Sequence, residues 1–213
     1  MNKGRLIRTL IVVLAIAAAN FGAYGQANSP EEAVKAALSV GAKMPVFELK
    51  DASGKSVSSN DLLKRGNLVV VYYRGDWCPF CNAYLHKLQT RLADIDAAGG
   101  NLVAISVENP DASLAVAKKN ELKFTVLSDP GLKVANKFGI VYTFSPELDK
   151  TYRSYGLDIA KHNNMEKAEL PLAVTYVIDR NGKIVYAFLD ADYQKRAEPD
   201  AIIAALKGIQ LSK

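Results

Sequence analysis

Past the first 26 residues, Leu68-Val69-Val70-Val71-Tyr72-Tyr73 is an apolar run rich in β-branched side chains. That is how a strand buried on both faces reads. Just beyond it the period changes. Leu85, Leu88, Leu92 and Ile95 recur at three- and four-residue intervals, the stripe of one amphipathic helix that Gly99-Gly100 ends. Leu102 to Val107 predicts a second buried strand. Pro110 to Asn120 predicts a helix, Phe124 to Leu127 a strand, and Pro130 to Phe138 another helix. Val174 to Ile178 and Lys183 to Leu189 predict two strands joined by a turn at Arg180-Asn181-Gly182, and Pro199 to Leu206 predicts the last helix.

Upstream, Ser29-Pro30-Glu31-Glu32 reads as a helix start, with Ser29 as N-cap, Pro30 in the first position and Glu32 closing a capping box. The helix runs to about Leu38 and ends at Gly41. Val46 to Leu49 and the residues around Val57 predict short strands, and Ser59 to Leu63 a helical turn ended by Gly66. Residues 140–170 have no firm period and read as an irregular insertion with one helix near Glu147–Tyr155. Strand, helix, strand, then hairpin and helix is an α/β plan. It predicts a central mixed β-sheet with helices on both faces and a site at the carboxyl ends of strands.

The first 25 residues have a different grammar. Lys3, Arg5 and Arg8 precede the apolar stretch Leu10 to Ala19, and Ala23-Tyr24-Gly25 places small residues before Gln26. This predicts a secretory signal peptide over 1–25; the alternative is an uncleaved N-terminal anchor. The apolar stretch is about half the roughly 20 residues a spanning helix needs. The expected organisation is the signal peptide, a linker and short helix over 26–40, and one domain over 41–213. The expected location is exported, periplasmic in a Gram-negative bacterium and otherwise secreted. Three of the five net positive charges lie in the leader, so the mature chain is near +2. That is not the footprint of a nucleic-acid binder, which needs a clustered basic face. No later stretch predicts a membrane span.

The two cysteines, Cys78 and Cys81, stand in Arg74-Gly75-Asp76-Trp77-Cys78-Pro79-Phe80-Cys81, between the first buried strand and the amphipathic helix. As a staple they would do little, since closing a four-residue loop contributes about 2 kcal/mol against about 4.7 for a loop of about 100. A redox role explains the spacing better. At a helix start, unpaired amides and the helix dipole favour a thiolate. A second sulfur one turn away traps whatever the first captures. Arg74 adds positive potential, and Trp77 offers an aromatic wall and a docking surface. The competing readings are a packed Trp77 and a solvated or structurally paired Arg74. His86 reads as a surface or packing residue, Tyr72, Tyr73 and Tyr84 as packing, and Asp76 as a weaker acid–base candidate. A zinc site wants four ligands, and His86 and His162 lack ligand spacing. Asn82 after Cys81 removes a haem-attachment reading. No metal and no cofactor is expected.

Gly41-Ala42-Lys43-Met44-Pro45-Val46-Phe47-Glu48-Leu49, the strand from Asn67 into the cysteine loop, Leu102 to Val107, Val126-Leu127-Ser128-Asp129-Pro130 and Thr175 to Gly182 occur in the order of one family. The chain resembles the alkyl hydroperoxide reductase/thiol-specific antioxidant (peroxiredoxin-like) family, in the subgroup carrying Trp-Cys-Pro-Phe/Tyr-Cys, which Asp190 to Pro199 is also similar to. The resemblance implies a thioredoxin-like fold. It puts Cys81 at the peroxide-attacking position and Cys78 where the family carries Thr or Ser. The family's arginine before the late strand falls at about Ala173. The late cis-proline of thioredoxin-like reductases has no counterpart in register, Pro171 being two residues early. Three functions stay open. A thiol peroxidase would oxidise Cys81, condense it with Cys78 and recover electrons from a thioredoxin-like donor. A disulfide oxidoreductase would act on exported protein disulfides, with Cys78 the more exposed sulfur. A binding module would have kept the fold without activity.

Overall fold

The computed structural model describes residues 27–211. The expected signal peptide lies outside these residues. Seven strands form a mixed sheet in the order β2-β1-β5-β4-β3-β8-β9. They are β1 (Glu48–Asp51), β2 (Ser56–Ser58), β3 (Asn67–Tyr72), β4 (Gly100–Ser106), β5 (Thr125–Ser128), β8 (Thr175–Ile178) and β9 (Ile184–Phe188). β3 runs parallel to β4, Val70 opposite Val103, and antiparallel to β8, Val70 opposite Tyr176. Its six residues are all buried, the outcome that its unbroken apolar run predicts. Leu68, Val70 and Tyr72 enter the core on one face. Val69, Val71 and, just beyond, Tyr73 enter the core on the other.

The first face is covered by α1 (Pro30–Ala36), α2 (Ser59–Arg65) and α6 (Lys133–Phe138). The second is covered by α3 (Pro79–Thr90), α4 (Leu92–Ala97), α5 (Pro110–Lys119) and α9 (Pro199–Leu211). Helices on both faces of a mixed sheet are the expected plan.

Several elements differ from the sequence reading. The stripe from Leu85 to Ile95 is carried by two helices, broken at Arg91 (φ −108°, ψ 8°). Leu85, Leu88 and Ile95 are nevertheless all buried, so the break leaves the stripe in place. Pro130 to Phe138 is a 3₁₀ turn followed by α6, interrupted where Gly131 and Leu132 take positive φ. Ser29 caps α1 as expected, but the Glu32 carboxylate accepts the amide of Asn28, one residue before the cap (2.8 Å). The start of the expected linker is packed: Ala27 is buried, and its carbonyl accepts the Thr143 amide.

The insertion is more ordered than its sequence suggests. β6 (Val141–Thr143) and β7 (Glu169–Pro171) form a separate antiparallel pair, Tyr142 opposite Leu170. Between them lie α7 (Pro146–Ser154), capped by Ser145, and α8 (Ile159–His162), capped by Asp158. α7 matches the one helix expected there. Pro171 is tied up in β7, and no peptide bond among the described residues is cis. None of the helices among the described residues is long and apolar enough to cross a membrane.

Candidate active site

β3 ends at Tyr72, and the chain turns through Gly75 into α3. Gly75 has φ +153°, and a Cβ there would press into the Trp77 indole. The loop is braced from below. Asn82 Nδ2 donates to the carbonyls of Asp76 (2.7 Å) and Cys78 (3.0 Å), and Asn120 Nδ2 holds Asn82 Oδ1 (2.8 Å). The Glu108 carboxylate accepts the Asp76 amide at 2.9 Å.

Cys78 is the N-cap of α3, and its sulfur accepts the Cys81 amide at 3.3 Å. Cys81 lies in the first helical turn. Both are free thiols and buried. Burial alone would oppose ionisation of Cys81. The Cys78 hydrogen bond, the Arg196 charge, the Arg74 backbone amide and the Arg74 charge outweigh it and bring that thiol down to about 6. Cys78 moves the other way. Its hydrogen bond to Cys81, its burial and the Cys81 charge push it well above the ordinary range. The two sulfurs are thus pushed in opposite directions, Cys81 toward the thiolate and Cys78 toward the thiol.

Arg196 is the residue that sequence reasoning missed. Its Nη2 sits 3.4 Å from Cys81 Sγ, and its guanidinium lies 5.7 Å from the Tyr84 ring. The position expected to lack the family's arginine, Ala173, is indeed a buried alanine. A guanidinium reaches the sulfur from the segment before α9 instead. The one signal for it in the sequence is the similarity of Asp190 to Pro199 to the Trp-Cys-Pro-Phe/Tyr-Cys subgroup. Tyr84 does more than pack, since its hydroxyl donates to the Ala197 carbonyl (2.8 Å) and so fixes this segment to α3.

Arg74 is 2% exposed, and among the described residues no carboxylate forms an ion pair with it. Its guanidinium lies 3.8 Å from the Tyr193 ring centroid, 4.9 Å from Trp77 and 5.5 Å from Tyr152, and Nη2 donates to the Tyr152 hydroxyl. Its Nε has no hydrogen-bond partner among the described residues. Trp77 and Cys78 line a cleft of about 510 Å³ together with Arg74, Phe80, Tyr152 and Tyr155. A second cleft, of about 550 Å³, lies across Phe80 and is lined by Tyr84, Phe188 and Arg196. A further cleft, about 670 Å³ between β1 and α6, is lined by neither cysteine.

The fold also joins Asp76 to two residues that the sequence left apart. His162 Nε2 lies 3.1 Å from Glu108 Oε1 and 3.5 Å from Asp76 Oδ1. These three have the spacing to share a divalent cation. Here they bind one another and tie α8 to the cysteine loop. Burial raises Glu108 to about 7. His86 is exposed on α3, as expected of a surface residue.

A sheet that feeds a strand into a helix with two free cysteines at its start, one favoured as the thiolate, is the frame of a thiol-dependent oxidoreductase. The family model for AhpC/TSA matches residues 40–187, and the chain belongs to that family; its activity is that of a thiol-dependent, peroxiredoxin-type oxidoreductase. It is 32% identical over 151 residues to a putative peroxiredoxin of Mycobacterium tuberculosis, covering 70% of this chain and 84% of the relative. With the chloroplastic peroxiredoxin Q of Sedum lineare it shares 29% over 181 residues, 84% of each chain. The match to peroxiredoxin Q of Gentiana triflora spans 71% of this chain but 59% of that protein. Among solved structures, peroxidoxin BcpB of M. tuberculosis superposes with a TM-score of 0.64 at 20% identity, covering 81% of this chain and 98% of that one. The expected thioredoxin-like fold is thereby established, and action on exported protein disulfides is not favoured.

Proposed function

We propose that this protein reduces hydroperoxides, with Cys81 as the attacking sulfur and Cys78 as the one that resolves the product. The observation that carries this reading is the Arg196 guanidinium 3.4 Å from a Cys81 sulfur whose thiol is held at about 6. The Cys81 thiolate attacks the terminal peroxide oxygen. The O–O bond breaks, water or an alcohol leaves after taking a proton, and Cys81 becomes a sulfenic acid. Cys78 then displaces hydroxide, which leaves as water, and the disulfide forms. An external thiol, with a thioredoxin-like protein as the general donor, returns two electrons. In this chain Arg74 and Arg196 supply the positive charge for which Ala173 offers no equivalent, beside the hydrogen bond from Cys78.

Single-cysteine variants test the roles. With one equivalent of hydroperoxide, Cys78→Ser is expected to form a dimedone-trappable sulfenic acid on Cys81. Cys81→Ser is expected to lose most of its peroxide consumption, because the Arg196 guanidinium then faces no sulfur. Equal rates in the two variants would overturn the assignment.

We also propose export to the periplasm or the outside of the cell, supported by the charge, apolar and small-residue pattern of residues 1–25. N-terminal sequencing of protein recovered from cells should begin at Gln26; a chain starting at Met1 would refute cleavage.

A further inference from the structure

We propose that the aromatic cleft beside Cys78 is an entry site for a small, negatively charged thiol that reopens the Cys78–Cys81 disulfide directly. The inference rests on the peroxidase reading, because it concerns how that same site is regenerated. Two separate observations meet in it. The first is access. The sulfur that lines the cleft is Cys78, while Cys81 lines neither of the clefts that flank Phe80. The second is leaving-group chemistry. In thiol–disulfide exchange the sulfur with the lower pKa leaves faster, and here that is Cys81. An incoming thiolate is therefore best placed to attack Cys78, the sulfur the cleft presents.

The cleft also specifies the charge and size of its occupant. Arg74 is the one charged residue in its lining. No carboxylate among the described residues pairs with that guanidinium, and its buried Nε has no acceptor. With Cys81 tied up in the disulfide, this buried cation lacks the thiolate charge that it faces in the reduced protein, and an anion beside it offsets the cost. At about 510 Å³ the cleft holds a small molecule whole. Cys78 lines the cleft and is 1% exposed, so an attacking thiolate must enter the cleft to reach it. Tyr155, 81% exposed, stands on the rim.

The exchange balances with two monothiols. The first thiolate bonds to Cys78 Sγ as the disulfide breaks, and Cys81 leaves as a thiolate beside Arg196. A second thiolate attacks the sulfur of the bound thiol, releasing a small-molecule disulfide and Cys78, which takes up a proton. Two thiols are oxidised and one protein disulfide is reduced.

The test uses the full chain oxidised with diamide, so that it does not depend on peroxide chemistry. Reduction is timed with 3-mercaptopropionate, 2-mercaptoethanol and cysteamine, each at equal thiolate concentration. The reference is an oxidised peptide spanning residues 76–82. Relative to the peptide, the anionic thiol should outpace the cationic one by about tenfold, the lower end of electrostatic enrichment in a charged cleft. Arg74→Gln should erase the ranking. Tyr155→Glu, a change at an exposed position, should slow the anionic thiol selectively. With iodoacetamide present, Cys81 should be carbamidomethylated while Cys78 carries the thiol. Rates that ignore charge, or the thiol found on Cys81, would overturn the proposal. A failed peroxide assay beside a positive result here would instead count against the peroxidase reading alone.

Discussion

Arg196 and Arg74 do different work on one sulfur. Arg196 approaches Cys81 through its side chain, whereas Arg74 contributes a backbone amide as well as charge. Removing Arg196 should therefore raise the Cys81 pKa without emptying the helix start. In Arg196→Met a rise of about 1–2 units is expected. Peroxide consumption should then fall about tenfold at pH 6.5 and little at pH 8.5, where both proteins are ionised. In the unaltered protein the rate should climb as pH rises through about 6 and then level off. A uniform loss at both pH values would show that Arg196 acts on something other than ionisation. The two cysteines were legible in the sequence because strand, loop and helix follow one another there. Arg196 was not, since it meets Cys81 across 115 positions, and Glu108 meets His162 across 54. Neither contact leaves a periodic or spacing signal.

Elements were legible where burial and period agree. β3 is sandwiched between two other strands, and its sequence is apolar throughout. The division of α3 from α4 was hidden because Arg91 interrupts the backbone without interrupting the stripe. Its side chain instead bridges Asp94 (2.6 Å) and Asp200 (2.8 Å), bringing α4 toward α9. The β6–β7 pair was hidden because its partners lie on either side of two helices and each strand has three residues. Gly139 shows how tightly the first layer fits. It ends α6 with φ +71°, and a Cβ would press into the Ala36 carbonyl at the end of α1. Gly139→Ala combines an unfavourable left-handed backbone with that collision. It should cost about 2 kcal/mol. That corresponds to about 4–8 °C in Tm for a chain of this size. Thermal denaturation of the variant checks this, and an unchanged Tm would mean that α1 yields without penalty.

Across the whole molecule, two buried carboxyls bind protons more tightly folded than unfolded. Burial lifts Glu108 from an ordinary 4.5 to about 7. Burial also lifts Asp129 from 3.8 to about 6, although the Val134 and Ala135 amides oppose the shift. Such groups favour the folded state below their unfolded values, and that advantage is lost as pH rises through the folded ones. Cys81, held low, contributes in the opposite sense above about 6, so Cys81→Ser is the right background for the measurement. Its stability should decline from pH 4.5 to about 7, by on the order of 1–3 kcal/mol per carboxyl. Glu108→Gln should flatten part of that slope. A stability profile that is flat over this window would show that both carboxyls ionise normally.

The chain has a single tryptophan, and it is Trp77, one residue from the first cysteine, 4.9 Å from the Arg74 guanidinium and edge-on to Tyr152 at 6.1 Å. Tryptophan emission, excited selectively beyond the absorption of the ten tyrosines, therefore comes from one indole, at the place where the sulfurs change state. Each half of the turnover can be followed in stopped flow without a dye, a label or a coupled enzyme.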